Sequence, residues 1–177
     1  PMGLGGSTGL SASERSSLAA YARPDHFRDI NGALREGRNP EGKNGKIAGD
    51  MDSAMDRSRT TSDVVVFRGM HGLDGYPAMF GDRMDGDMTG LEWSEDAFSS
   101  TSVRQSSARE FAQSGSGSVL MRISVPEGTG ALKMQGDEWD GEGEVVLERG
   151  LRMRVTGDRG VDPDWNQRVL DVEVVSE

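Results

Sequence analysis

Apolar residues in the first third of the chain recur at helical spacing. Ser11 and Glu14 fit a capping box, which satisfies free amides at a helix start, and Leu18, Ala19 and Tyr21 follow. A second helix is expected from Pro24 to Glu36, with Phe27, Ile30, Ala33 and Leu34 on one face. Gly37 to Gly45 reads as a loop of glycine, asparagine and proline. A third helix is expected from about Lys46 to Arg57, where Ile47, Met51, Ala54 and Met55 keep helical spacing. The pattern changes at Asp63. Val64-Val65-Val66-Phe67 is β-branched and aromatic and reads as a buried strand. Residues 69–97, rich in glycine and acids, read as an irregular connection. Phe98 to Val103 is expected to be a short strand and Ser107 to Gln113 a short helix. Further strands are expected at 118–125, 130–135, 143–148, 151–156 and 167–175, the last alternating apolar and polar residues. Helices first and strands later make an α+β domain rather than alternating βαβ units.

Composition narrows the chemistry. The chain has 177 residues, which suits one domain, and a net charge of −10. That charge argues against nonspecific binding of nucleic acid through its phosphates. No stretch approaches the apolar length of a membrane span. Cysteine is absent, so disulfides, cysteine nucleophiles and cysteine–zinc sites are excluded, and the two histidines, His26 and His71, lack partners at ligand spacing. An enzyme built from this chain works with carboxylates, arginines and hydroxyls, or with a cofactor. Pro1 before Met2 reads as a cloning remnant and residues 1–10 as remnant plus flexible linker. One domain is expected over 11–177, helical to residue 60 and β-rich from 61.

Two motifs come close to known ligand loops. Gly37, Gly42 and Lys43 nearly satisfy a phosphate-loop pattern, but Asn44 stands where a hydroxyl is needed and a helix precedes it. Asp85, Asp87, Thr89, Gly90 and Asp96 fall at calcium-loop positions, but the bidentate glutamate is missing. A solvated acidic loop is the simpler reading.

Three short segments carry chemistry together. In Val65-Val66-Phe67-Arg68-Gly69, an arginine at the end of an apolar strand offers a planar guanidinium to a phosphate, and Gly69 would let a ligand approach the backbone. In Phe98-Ser99-Ser100-Thr101-Ser102, a run of hydroxyls lies on a strand, where one face can hydrogen-bond a carboxylate or a ribose. The third is Trp139-Asp140-Gly141-Glu142-Gly143-Glu144-Val145-Val146-Leu147. From Gln135 to Glu148 there are six acids and no base, and the acids run into an apolar strand. If residues 142–144 are extended, Glu142 and Glu144 share a face with Cα atoms about 6.5–7 Å apart. Like charges this close push their pKa values apart, which suits chemistry with an oxocarbenium-like transition state.

The order Arg, Ser-Thr-Ser, Glu-x-Glu resembles the R-S-E class of mono-ADP-ribosyltransferases, whose best-known members are bacterial toxins that modify arginine. The resemblance covers about residues 60–156 and, more loosely, the helices before them. Beyond the three motifs it includes Gly86-Asp87, Phe98, Phe111, Trp139 and the ending Glu148-Arg149-Gly150 followed by Leu151-Arg152-Met153-Arg154-Val155. It implies N-terminal helices followed by two packed, mostly antiparallel sheets around a cleft for NAD, which is a substrate, with no metal required.

The resemblance also implies roles. Arg68 would bind the NAD phosphates, with Arg104 and Arg109 as further candidates. Ser100 would orient Glu144, Thr101 and Ser102 would shape the nicotinamide pocket, Gly69 would face the nicotinamide amide, and Phe111 would stack near its ring. Glu144 would hydrogen-bond the ribose 2′-hydroxyl and stabilise the oxocarbenium ion. Glu142 would contact a target arginine and help remove its proton. The loop of about residues 135–144, with Trp139, would meet the target. The implied partners are NAD, a protein with an accessible arginine and a cognate immunity protein, with no membrane involved. The implied setting is the cytoplasm of a target cell, reached by secretion, injection or release from a larger or phage-encoded protein. Water as acceptor, nucleic acid as acceptor, and a non-enzymatic binding module on the same fold stay open as alternatives. Glu142 favours a guanidinium, and the acidic composition disfavours nucleic acid.

Overall fold

A computed structural model describes residues 9–70, 86–113, 118–134 and 143–175. The described residues open with three helices, α1 (Ala12–Tyr21), α2 (Pro24–Arg35) and α3 (Gly42–Asp56). The capping box at α1 forms as expected. The Glu14 amide donates to the Ser11 hydroxyl at 3.0 Å, and the Ser11 amide donates to the Glu14 carboxylate at 2.8 Å. Glu14 also pairs with Arg57 just beyond α3. The Ser11 amide and Arg57 together hold the Glu14 carboxyl at about 2, well below its ordinary 4.5. Asp50 on α3, held by Lys46, Ser17 and Ser13, is likewise lowered to about 2. The two carboxylates fasten α1 against α3.

Gly37 ends α2. Its φ is +74°, the Arg38 amide donates to the Ala33 carbonyl and the Gly37 amide to the Leu34 carbonyl, which makes a Schellman cap. The glycine of the near phosphate loop is thus a helix terminator. α3 begins at Gly42, four residues before the expected start. Its first turn is polar and shows no apolar period, so periodicity detects the helix only from Ile47. His26 hydrogen-bonds Asn44 at 3.0 Å between α2 and α3, and His71 lies outside the described residues.

Among the described residues eight strands form one hydrogen-bonded sheet in the order β2-β7-β8-β4-β1-β3-β6-β5. They are β1 (Val64–Met70), β2 (Glu92–Glu95), β3 (Ser99–Ser102), β4 (Val119–Val125), β5 (Ala131–Lys133), β6 (Glu144–Leu147), β7 (Leu151–Asp162) and β8 (Gln167–Val174), with α4 (Gln105–Ala112) after β3. Among the described residues only β4 and β8 pair in parallel. The two expected sheets are two leaves of this ladder, β2-β7-β8-β4-β1 and β3-β6-β5, joined through the single pair Phe67 and Ser102. Val66, Met121, Ile123, Val145, Leu147, Met153 and Val172 fill one core between the leaves. A second core, with Leu18, Tyr21, Ile30, Met51 and Met55, seats the helices on Phe98, Leu132 and Val146. Alternation along β6 serves both cores, Val145 and Leu147 facing one and Val146 the other.

Two elements differ from the sequence reading. The stretch read as irregular over 69–97 contains β2, which pairs with β7 from Glu92 opposite Arg154 to Glu95 opposite Leu151. β7 runs on past residue 156 to Asp162, through register shifts that its glycines permit. Asp158, whose side chain is 4% exposed in this irregular part, pairs with Arg168 and accepts from the Met88 amide at 2.9 Å. Burial pushes its carboxyl up, but Arg168 and the amides of Met88 and Gly160 hold it below the ordinary carboxylate value.

Candidate active site

β3 brings the hydroxyl run beside β6. In the antiparallel ladder Ser100 stands opposite Val146 and Ser102 opposite Glu144. Residues opposite one another share a face, so Ser100, Ser102 and Glu144 lie on the face that also carries Val146. Ser99 and Thr101 point to the other side. Thr101 donates to the Val145 carbonyl at 2.7 Å, and its hydroxyl therefore serves the sheet. Ser99 is fully buried with no partner for its hydroxyl among the described residues.

The start of β6 is fixed from both sides. The Val103 amide donates to the Gly143 carbonyl at 3.0 Å and the Met134 amide to the Glu144 carbonyl at 3.0 Å. Gly143 has φ of +61°, so the backbone is not extended at residue 143. A left-handed backbone at residue 143 favours glycine. Glu142, Trp139 and the rest of 135–142 lie outside the described residues.

Arg68 comes from β1, beside β3. Its side chain is 15% exposed and its Nη1 lies 3.7 Å from an oxygen of Glu95, at the end of β2. Glu95 also takes Arg35, at the end of α2, at 3.2 Å. A helix side chain closes the group. Tyr21, buried at the end of α1, accepts from the Asn31 side-chain amide at 2.9 Å. Burial pushes its hydroxyl up from the ordinary value. Asn31, the Arg68 charge and the Ser100 hydroxyl work against that rise, and the Glu144 charge adds to it. One phenol oxygen therefore senses the arginine, the serine and the glutamate, which come from β1, β3 and β6. Asn31 also accepts from the Phe98 amide at 3.2 Å, and Phe98 meets the Tyr21 ring edge-on, with centroids 5.6 Å apart. Sequence reasoning missed Tyr21, Asn31 and Glu95. Tyr21 read as the last apolar position of a helix, and Glu95 as one acid in an irregular stretch.

The remaining expected residues divide. Gly69 is required by packing: a Cβ there would lie 1.8 Å from the Ala108 carbonyl oxygen of α4. The backbone that approaches Gly69 closely is this helix. Phe111, on the outer side of α4, is 69% exposed. Arg109 is already engaged, with Asp162 at 3.1 Å and the Trp165 ring at 5.5 Å, and its carbonyl accepts from Gln167 at 2.8 Å. These contacts fasten α4 to the β7–β8 hairpin. Arg104 is exposed just before α4. Among the described residues no cluster of three histidines or acids could hold a metal ion, and Asp85 of the near calcium loop lies outside them. Asp87 instead accepts from the Thr89 amide at 2.9 Å, closing a local turn.

An arginine, a hydroxyl strand and a strand-end glutamate thus converge, in the order the sequence motifs suggested. A family model described as ADP-ribosyltransferase exoenzyme matches residues 6–176. The chain belongs to the ADP-ribosyltransferase exoenzyme family. As a member, it is an ADP-ribosyltransferase with NAD as its substrate. Comparison with curated proteins finds no match. Several solved structures share the fold. Exoenzyme S from Pseudomonas aeruginosa, in complex with human 14-3-3 protein beta and carba-NAD, is 22% identical with a TM-score of 0.71, over 94% of this chain and 76% of that one. C3stau2 from S. aureus, with NAD, is 17% identical with a TM-score of 0.77, over 97% and 90%. C3larvin toxin, an ADP-ribosyltransferase from Paenibacillus larvae, is 19% identical with a TM-score of 0.69, over 94% and 96%.

Proposed function

We propose that this ADP-ribosyltransferase moves ADP-ribose from NAD to an arginine side chain of a target protein, releasing nicotinamide. The observation that carries the reading is the strand pairing that sets Ser100 and Ser102 on the face of Glu144, with Arg68 on the neighbouring strand β1, and the sequence places Glu142 two residues before Glu144. NAD brings two phosphate charges, and Arg68 offers a cation with hydrogen-bond donors at the cleft. The bond between the ribose anomeric carbon and the nicotinamide nitrogen breaks with its electron pair going to that nitrogen. Nicotinamide leaves neutral, and the positive charge passes to the ribose. Glu144 stabilises that charge and accepts from the ribose 2′-hydroxyl, while Ser100 orients Glu144. A guanidinium nitrogen of the target then bonds to the anomeric carbon, and its proton passes to Glu142. Thr101, from within the ladder, and Ser102 hold the pocket wall, Gly69 lets α4 approach it, Phe111 supplies an exposed ring, and Trp139 meets the target.

The family's description as exoenzymes and the toxin among its structural neighbours support action in the cytoplasm of a target cell after secretion or injection. Among the described residues no helix is long and apolar enough to cross a membrane. On this reading the protein partners are an arginine-bearing target and a cognate immunity protein in the producing cell. Incubation with labelled NAD, with and without a cell lysate, tests the reading. It predicts label on protein that is removed by chemistry specific for ADP-ribosyl-arginine. Nicotinamide release alone, or label on nucleic acid, would instead assign water or nucleic acid as acceptor.

A further inference from the structure

We propose that Glu95 is the positioning residue for Arg68, an internal counter-ion that aims the guanidinium at the NAD phosphates without occupying its donors; this rests on the NAD reading above. Glu95 is 2% exposed, and burying a carboxylate is costly unless it is paired. Its pairing is asymmetric. One oxygen takes the Arg35 Nε at 3.2 Å and the Ala97 amide at 3.1 Å. The Glu95 carbonyl takes the Gly150 amide at 2.8 Å. Side chain and backbone are thus both tethered, and the second carboxylate oxygen is held toward Arg68.

The Arg68 contact is of a different kind. At 3.7 Å it is an ion pair beyond hydrogen-bond range. Among the described residues it is the only ion pair that Arg68 makes, and no side chain there hydrogen-bonds to Arg68. Coulomb attraction falls gently with distance, so a fixed charge can orient the guanidinium while its N–H groups stay available to a ligand. The two arginines and one carboxylate sum to a single positive charge, so the group still attracts a dianionic pyrophosphate. A carboxylate in bidentate contact with Arg68 would compete with that ligand; one tethered elsewhere does not. Arg35 lies on α2, so the same carboxylate ties the helical part of the domain to the phosphate-binding arginine.

A double-mutant cycle on the whole chain, read by calorimetric binding of NAD, tests this. Glu95→Gln keeps the size and the oxygen facing Ala97 and Arg35, but turns an amide donor toward Arg68. We expect roughly tenfold weaker NAD binding in the Arg68-containing protein and no further weakening when Glu95→Gln is added to Arg68→Ala, as coupled residues show. Equal weakening in both backgrounds, or none in either, overturns the proposal, because a purely structural carboxylate acts regardless of Arg68. If Glu95→Gln does not fold, Glu95→Asp, which retains charge but retreats by one methylene, is carried through the same cycle with the same sign expected. Wild-type protein that binds no NAD overturns the NAD reading, and this proposal with it. Wild-type binding that Arg68→Ala weakens and Glu95→Gln leaves unchanged overturns the Glu95 role alone.

Discussion

Ser102 stands directly opposite Glu144 in the β3–β6 ladder, and Ser100 lies two residues along on the same face, opposite Val146. Sheet pairing thus sets the distance between the serines and the glutamate, with no loop to relax it. Ser100 is exposed and fills no core, so its loss should cost function before stability. Ser100→Ala should lower NAD turnover about tenfold or more while shifting the melting temperature little, as expected for a side chain that orients another. Thermal melting together with specific activity separates the two effects. A collapsed melt with normal activity of the folded protein would make Ser100 structural.

Tyr21→Phe removes one oxygen from a buried site and leaves the Asn31 amide without its acceptor. The cost in stability should be about 1–3 kcal/mol, the usual penalty for an orphaned buried donor. Because the lost oxygen also senses Arg68, Ser100 and Glu144, turnover of the folded protein should fall as well. Denaturant unfolding paired with nicotinamide release at saturating NAD checks both. Unchanged turnover would leave Tyr21 as packing only.

Gly69→Ala should act through the fold. The added carbon would meet the Ala108 carbonyl, so α4 must move off β1. The loss should be about 1–3 kcal/mol or more, the range for overpacking. Falling melting temperature and soluble yield are expected. A stable Gly69→Ala protein with specifically weakened NAD binding would show that the glycine serves the ligand.

The helical part should fail first in acid. Glu14 and Asp50 both titrate at about 2 in the folded chain, against ordinary values of 4.5 and 3.8. Their folded values are depressed, so their contribution is complete above about pH 5 and is lost as pH falls toward 2. Glu14→Gln should flatten that part of the stability–pH curve, which urea unfolding at a series of pH values would show. An unchanged acid limb would mean that other carboxylates control it.

Much of the domain was legible because its signals are local. The Ser11 and Glu14 capping box, the apolar stripe of α2, the Val64–Phe67 run and the β-branched entry into β6 each announce their own element. β2 has no such signal. Glu92-Trp93-Ser94-Glu95 becomes a strand because β7 pairs with it. Gly37 and Gly42 mimic a phosphate loop because helix ends and phosphate cradles both use positive-φ glycines. Within the site, the three motifs carry the chemistry, but Tyr21, Asn31 and Glu95 reach it only through contacts between distant segments. Asn31 meets the Phe98 amide and Arg35 meets Glu95, pairs that no local pattern marks.

The proposed function divides the labour between Glu144, at the start of β6, and Glu142, two residues earlier in the sequence. Nicotinamide release and label transfer to an arginine analogue, measured in parallel for Glu144→Gln and Glu142→Gln, test it most directly. Glu144→Gln should abolish both reactions, because an amide cannot stabilise the cationic ribose by charge. Glu142→Gln should keep most NAD hydrolysis and lose transfer, because only the acceptor step needs a carboxylate to deprotonate a guanidinium. Loss of hydrolysis in Glu142→Gln as complete as in Glu144→Gln, or arginine transfer that survives Glu142→Gln, would contradict the account.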